Sequence, residues 1–184
     1  MPELVVPGII GPVNAFELAE PETFAKEIVA LVDIGFKHTT IVILNCGEIS
    51  LNRVVPLGGD RLTQGLAEAL ETNYAEAEQI KLGMPTEVQQ SLESLIHPLG
   101  RELRASIDFF EHQHDKPVAQ AFFSGGSARS EFLIQALQTE LMVPCKTWNP
   151  VQTLQLALDP QKMGEIEQAA PQLTVAIGAA ASAF

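Results

Sequence analysis

The hydrophobic pattern is sharpest over Glu27–Ile34, a nearly unbroken apolar run that leads into Asp33-Ile34-Gly35 and predicts a buried strand. Thr39–Leu44, rich in β-branched residues, predicts a second strand, and Ile49–Val55 a third, with a glycine-containing turn over Asn45–Glu48 between them. With the loop Gly35–His38 they form a three-stranded meander, which Pro56 and Gly58-Gly59-Asp60 stop. The period then changes. Leu62, Leu66 and Leu70 recur at helical spacing over Arg61–Glu71, and Thr72 or Asn73 is placed to cap a second helix, Tyr74–Leu82. Pro85 and Thr86 open a longer helical stretch, in which Thr86 with Gln89 fits a capping box. Pro98 should kink or split that stretch, and its second half, Leu99–His112, repeats Leu99, Leu103, Ile107 and Phe110 on one face. Val118–Ser124 reads as another buried strand, followed by Gly125-Gly126-Ser127, a helix over Ser130–Leu141 and a short strand, Cys145–Trp148. Asn149–Pro150 and Asp159–Pro160 are breakers, and a helix of small residues, roughly Thr174–Ala183, closes the chain. Residues 1–25, rich in Pro and Gly, read as a connector with a short helix over Val13–Ala19.

The resulting order, β-β-β-α-α-α-β-α-β-α, is not that of a doubly wound dinucleotide fold. It predicts an α/β domain with a mixed sheet covered by helices. At 184 residues and 46% hydrophobic composition the chain can bury a sizeable core. Aromatics are only 6%, so that core must be built from Leu, Ile, Val and Ala. The formal net charge of -12 repels nucleic acid and anionic lipid at long range, so an anionic ligand would have to be held by backbone N–H groups and a few local cations. Cys46 and Cys145 fit neither a disulfide framework nor a zinc site and read as free thiols. The first residues lack the basic segment of a signal peptide, and no apolar run is long enough to cross a bilayer, which favours a cytoplasmic protein without direct membrane insertion.

Four stretches offer chemistry, and each also has a plain structural reading. Asp33-Ile34-Gly35 with Thr39 places a carboxylate at the end of a buried strand, before a glycine whose loop can expose N–H groups to a phosphate; a simple hairpin would use the same residues. Asp33 is suited to hold Mg²⁺ through water. Phe123-Ser124-Gly125-Gly126-Ser127 allows a flat ligand to approach the backbone ahead of a helix N-terminus, or is an ordinary strand-to-helix turn. Glu78 and Lys81 share a helix face, as ligands for ribose and base or as a surface ion pair. Ala176-Ile177-Gly178-Ala179-Ala180 permits very close helix packing. The run Glu111-His112-Gln113-His114-Asp115 ends a helix, where the dipole favours His, and reads as a helix end rather than a metal site.

Taken in order, these stretches resemble the second half of the actin-like ATPase superfamily, of ribonuclease-H-like fold. Asp33-x-Gly35 with Thr39 is similar to its second phosphate loop, Phe123-Ser124-Gly125-Gly126-Ser127 to its adenosine motif, and Ala176–Ala180 to its second connecting helix. Leu31–Gly35, Pro56–Asp60 with Thr63, Tyr74–Glu78 with Lys81, and Trp148-Asn149-Pro150 resemble the PilM family of type IV pilus assembly in particular, over about residues 28–184. The resemblance implies residues 1–27 as a connector from a first lobe, 28–172 as the second lobe and 173–184 as a connecting helix. It implies a cytoplasmic ATP-binding scaffold, peripheral to an inner-membrane complex of a pilus or a type II secretion-like machine. ATP and Mg would be held by Asp33, Gly35, Thr39, Glu78, Lys81, Gly125, Gly126 and Ser127, with Asp33 orienting Mg²⁺ and water as the one catalytic group and hydrolysis at most slow. A PilN-like tail would bind largely through the first lobe, which would precede residue 1, and self-association is left open. The alternatives are a small-molecule kinase of the same superfamily and an adaptor that has lost nucleotide. The loop departs from the family pattern in holding Phe36, Lys37 and His38 where relatives place small residues or Thr; Lys37 offers a cation there.

Overall fold

The computed structural model describes residues 7–83, 88–155, 157 and 160–183. Its centre is a five-stranded mixed sheet in the order β3-β2-β1-β4-β5, built from β1 (Ile28–Ile34), β2 (Thr39–Asn45), β3 (Glu48–Val55), β4 (Gln120–Ser124) and β5 (Cys145–Thr147). The meander β1-β2-β3 is antiparallel; β4 joins β1 in parallel and β5 joins β4 in parallel. The expected strands are therefore present, within a residue or two at their ends.

Alternation along the strands divides the interior into two cores. Ala30, Val32, Ile34, Ile41, Ile43, Ala121 and Phe123 face α3 (Gly59–Ala69), α5 (Gln89–His114) and α6 (Glu131–Leu141). Leu62 and Leu66 of α3, Leu92 to Phe110 of α5, and Leu133, Leu137 and Leu141 of α6 complete that core at the helical spacing read from the sequence. The helix α5 runs through Pro98 as one element rather than splitting there. Its expected cap at Thr86 lies outside the described residues, as does the breaker Asp159. Between α3 and α5 lies α4 (Tyr74–Gly83). Ser130 caps α6, its hydroxyl accepting the Leu133 N–H at 3.2 Å.

On the other face Val29, Leu31, Val42, Leu44 and Phe122 meet α1 (Ile10–Ala19), which is followed by the short α2 (Pro21–Lys26). Here the sequence reading needs correcting. Ile10–Ala19 is not a loose connector but part of the core: Val13, Ala15, Phe16 and Ala19 are buried, and the Phe16 ring meets Phe122 at 4.6 Å and Trp148 at 5.2 Å, edge to face. Over α1 lies α7, which runs from Pro160 to Ala181 rather than from Thr174, passing through Pro171. The two helices cross at glycines. A Cβ on Gly178 would stand 1.7 Å from the Gly11 carbonyl oxygen, and one on Gly11 would stand 2.6 Å from that of Val175. Asn14 fastens the crossing through Nδ2, which donates to the Gly178 carbonyl at 3.2 Å and the Ser182 hydroxyl at 2.7 Å.

Candidate functional site

The carboxyl ends of β1 and β4 open into a cleft of about 460 Å³, closed by α3, α4 and the second half of α7. Asp33 ends β1 beside Ser124, its register partner on β4, whose hydroxyl donates to Asp33 Oδ1 at 2.8 Å. Burial pushes the Asp33 carboxyl above its ordinary value, and the Ser124 bond pulls more weakly the other way. A carboxyl raised in this manner favours the folded state when protonated. That contribution is lost as pH rises from the unfolded value of 3.8 through the higher folded one. Asp33→Asn keeps an acceptor for Ser124 and removes the buried charge. Calorimetry should therefore find the variant melting higher than the parent at neutral pH, with the gap closing toward pH 3.8. A parent that melts as high as the variant at neutral pH contradicts this account.

The loop after Asp33 is tight and anchored. The Gly35 N–H donates to the His38 carbonyl at 3.0 Å, while the carbonyls of Gly35 and Phe36 accept from the N–H groups of Gly59 at 2.9 Å and Asp60 at 2.8 Å. Two N-terminal donors of α3 are thus engaged by the loop. Gly58 lies flat against it; a Cβ there would meet the Phe36 carbonyl oxygen at 2.4 Å. The Phe36 ring is 62% exposed, so it borders the cleft without filling it. Thr39 is placed differently from the sequence reading. It is fully buried, its hydroxyl donates to the Leu57 carbonyl at 2.6 Å, and it does not line the cleft. Its side chain ties the start of β2 to the turn before α3.

Glu78 and Lys81, on α4, form the opposite wall. The pair is not a surface one: the Lys81 side chain is 4% exposed and that of Glu78 35%, with Nζ to Oε2 at 2.7 Å. Lys81 also donates to the Thr63 hydroxyl at 2.8 Å and the Gly59 carbonyl at 3.4 Å. An ammonium so enclosed is tolerated because each of its donors has an acceptor.

The floor is the turn after β4. Gly125 has φ +93°, and a Cβ on it would lie 2.3 Å from the Ile34 carbonyl oxygen; its N–H donates to the Pro171 carbonyl of α7 at 2.7 Å. Only glycine fits that conformation and that approach. Gly126 begins a single 3₁₀ turn, Gly126–Arg129. Its Cβ would meet nothing nearer than Gln172 at 4.0 Å, so its bare face opens into the cleft. Ser127 lines the same floor and is buried. The expected residues Asp33, Gly35, Glu78, Lys81, Gly125, Gly126 and Ser127 therefore converge on one cleft, and Thr39 stands apart. The structure adds Gly59, Tyr74, Arg129 and Gln172. Arg129 supplies a cation two residues beyond Ser127, a signal present in the sequence but passed over. Gln172 belongs to the part of α7 that Pro171 disguised. The open face of Gly126, a flat cradle for a planar group, and the hard oxygen of Asp33 suit a nucleotide with a divalent cation.

Comparison with known proteins identifies the family and the fold. Residues 13–184 match the family model described as type IV pilus assembly protein PilM. The fold superposes on a solved PilM-PilN type IV pilus biogenesis complex with a TM-score of 0.83 at 24% identity, over 99% of this chain and 53% of that one. It also superposes on the MreB5 protein of Spiroplasma citri bound to ADP, with a TM-score of 0.66 at 11% identity over 93% of this chain and 57% of that one. A third match is the activator of the 2-hydroxyisocaproyl-CoA dehydratase from Clostridium difficile with bound ADPNP, with a TM-score of 0.61 at 15% identity over 97% of this chain and 66% of that one. A short segment is 43% identical over 53 residues to the cell division protein FtsA of Bacillus subtilis, 29% of this chain and 12% of that protein. The chain spans about half the length of the PilM protein it superposes on. The fold is that of the actin-like ATPases, and by the match over residues 13–184 the chain belongs to the PilM family of type IV pilus assembly proteins.

Proposed function

We propose that this chain is the lobe of an actin-like scaffold protein that binds ATP with Mg²⁺, in a cytoplasmic assembly peripheral to the inner membrane of a type IV pilus machine. The observation that supports it best is the single cleft bordered by Asp33, Gly35, Glu78, Gly125, Gly126 and Ser127, residues far apart in sequence. In this reading Asp33 holds Mg²⁺ through water, the loop that begins at Gly35 meets phosphate, Glu78 takes the ribose, and Gly126 and Ser127 lie under the adenosine. The metal would neutralise phosphate charge that an acidic chain otherwise repels. Among the described residues no helix is long and apolar enough to cross a membrane, so the link to the membrane would come from a partner with a PilN-like tail. A kinase would need a base beyond these groups, and the cleft's carboxylates, Asp33 and Glu78, already have roles.

Titration with a fluorescent ATP analogue, with and without Mg²⁺, tests the reading. Saturable binding that ATP competes and that weakens without Mg²⁺ is expected. The adaptor reading, for which the exposed Phe36 is the motive, expects no binding at millimolar nucleotide together with retained association to a pilus partner.

A further inference from the structure

Thr63 lies in α3, fully buried beneath the Glu78–Lys81 pair. Its one hydroxyl proton faces two acceptors, the Gly59 carbonyl at 2.9 Å and Glu78 Oε2, while its oxygen accepts from Lys81 Nζ at 2.8 Å. Lys81 has three N–H bonds and three protein acceptors, Thr63, Glu78 and Gly59. No donor of that ammonium is left for a ligand. Glu78 differs: it is partly open and lines the cleft, and both of its internal bonds fall on Oε2. Among the described residues its Oε1 accepts none. Gly59 carries the network to the other wall, its carbonyl taking Lys81 and Thr63 while its N–H donates to the Gly35 carbonyl at 2.9 Å.

We propose that Thr63 is a positioning residue that, with Lys81, locks Glu78 so that Oε1 is presented to the hydroxyls of a ribose, making the cleft selective for ribonucleotides. The inference rests on the nucleotide reading and divides its labour: Glu78 touches the sugar, while Lys81 and Thr63 hold Glu78. A carboxylate fixed in advance loses little freedom on accepting a hydroxyl, whereas an untethered one must be ordered by the ligand. When the analogue lacks the hydroxyls, the fixed carboxylate is left without its partner, and the site rejects that analogue. Replacing Thr63 by the isosteric valine removes one of the two bonds that fix Glu78, and takes from Lys81 an acceptor that holds it in place, while leaving the volume nearly unchanged.

The test compares ATP with the dideoxy analogue that lacks both ribose hydroxyls, by competition titration in Mg²⁺. The parent chain is expected to prefer ATP by about tenfold, the worth of one hydrogen bond to a charged group. Thr63→Val, folded by circular dichroism, is expected to bind both within about twofold of each other, and Thr63→Ser to restore the preference. A folded Thr63→Val that keeps the parent's preference overturns the inference and leaves the nucleotide reading standing. A parent that binds both equally does the same. A parent that binds neither removes both. If the valine variant does not fold, the serine variant decides, because a folded Thr63→Ser without the preference also overturns the proposal.

Discussion

Gly178→Ala is expected to lower the melting temperature by about 10 °C. The added Cβ would stand 1.7 Å from the Gly11 carbonyl oxygen and 2.9 Å from the Ala15 backbone nitrogen. Both neighbours are backbone, so no side-chain rotation relieves the contact, and α1 and α7 must part. Their separation loosens the bonds from Asn14 to Gly178 and Ser182 and draws Phe16 away from Phe122 and Trp148. Overpacking of this kind costs about 3 kcal/mol, more than the helix propensity that alanine gains over glycine, about 1 kcal/mol. A control lies in the same helix. Gly164 has nothing within 4 Å of a built Cβ, so Gly164→Ala should receive the propensity gain alone and melt slightly higher. Differential scanning calorimetry on the two variants separates crossing from propensity; equal shifts would mean that the crossing does not matter.

Gly126→Val should abolish nucleotide binding, by a factor of about a hundred or more in affinity, while leaving the melting temperature nearly unchanged. The side chain would enter the open face of the floor, where the nearest atoms belong to Gln172 at 4.0 Å. Its Cβ therefore clashes with no protein atom, and in the nucleotide reading the side chain takes the place of the base. The neighbouring glycine provides the contrast. Gly125→Val forces φ +93° on a β-branched residue and drives its Cβ to 2.3 Å from the Ile34 carbonyl oxygen, so it should destabilise the fold as well. Isothermal titration with ATP, paired with a thermal melt, reads both effects. Unchanged affinity in a folded Gly126→Val variant would remove the adenosine assignment.

The parts legible in the sequence are those whose signal is local. The apolar run Glu27–Ile34 reads as a buried strand, and β2 and β3 followed because β-branched runs and a glycine turn specify a meander without reference to the rest of the chain. Leu62 and Leu66, or Leu103, Ile107 and Phe110, announced their helix faces in the same way. α1 was legible only as a short helix, Val13–Ala19, within a connector, because Gly11 and Pro12 look like breakers unless it is known that another helix lies across them. The partner begins at residue 160 and hides behind its own Pro171. Neither helix is amphipathic enough to reveal its full extent alone, and the packing of each makes sense only against the other. The site divides similarly. Asp33, Gly125 and Gly126 were readable because strand ends and glycine pairs leave a mark. The burial of Lys81 and the withdrawal of Thr39 were not, since both depend on where α3 comes to rest.

The pairing of α1 with α7 also orders events in time. Ile10–Ala19 leaves the ribosome well before its cover, and the surface that covers it is not complete until residue 181 has been made. The meander β1-β2-β3 and its hairpin contacts can form soon after α1, whereas β4 must arrive before β1 gains its parallel neighbour. Between the synthesis of α1 and that of α7, then, the apolar side of α1 with Val13 and Phe16 has only the sheet face for company, which makes it a stretch in need of shielding on the nascent chain.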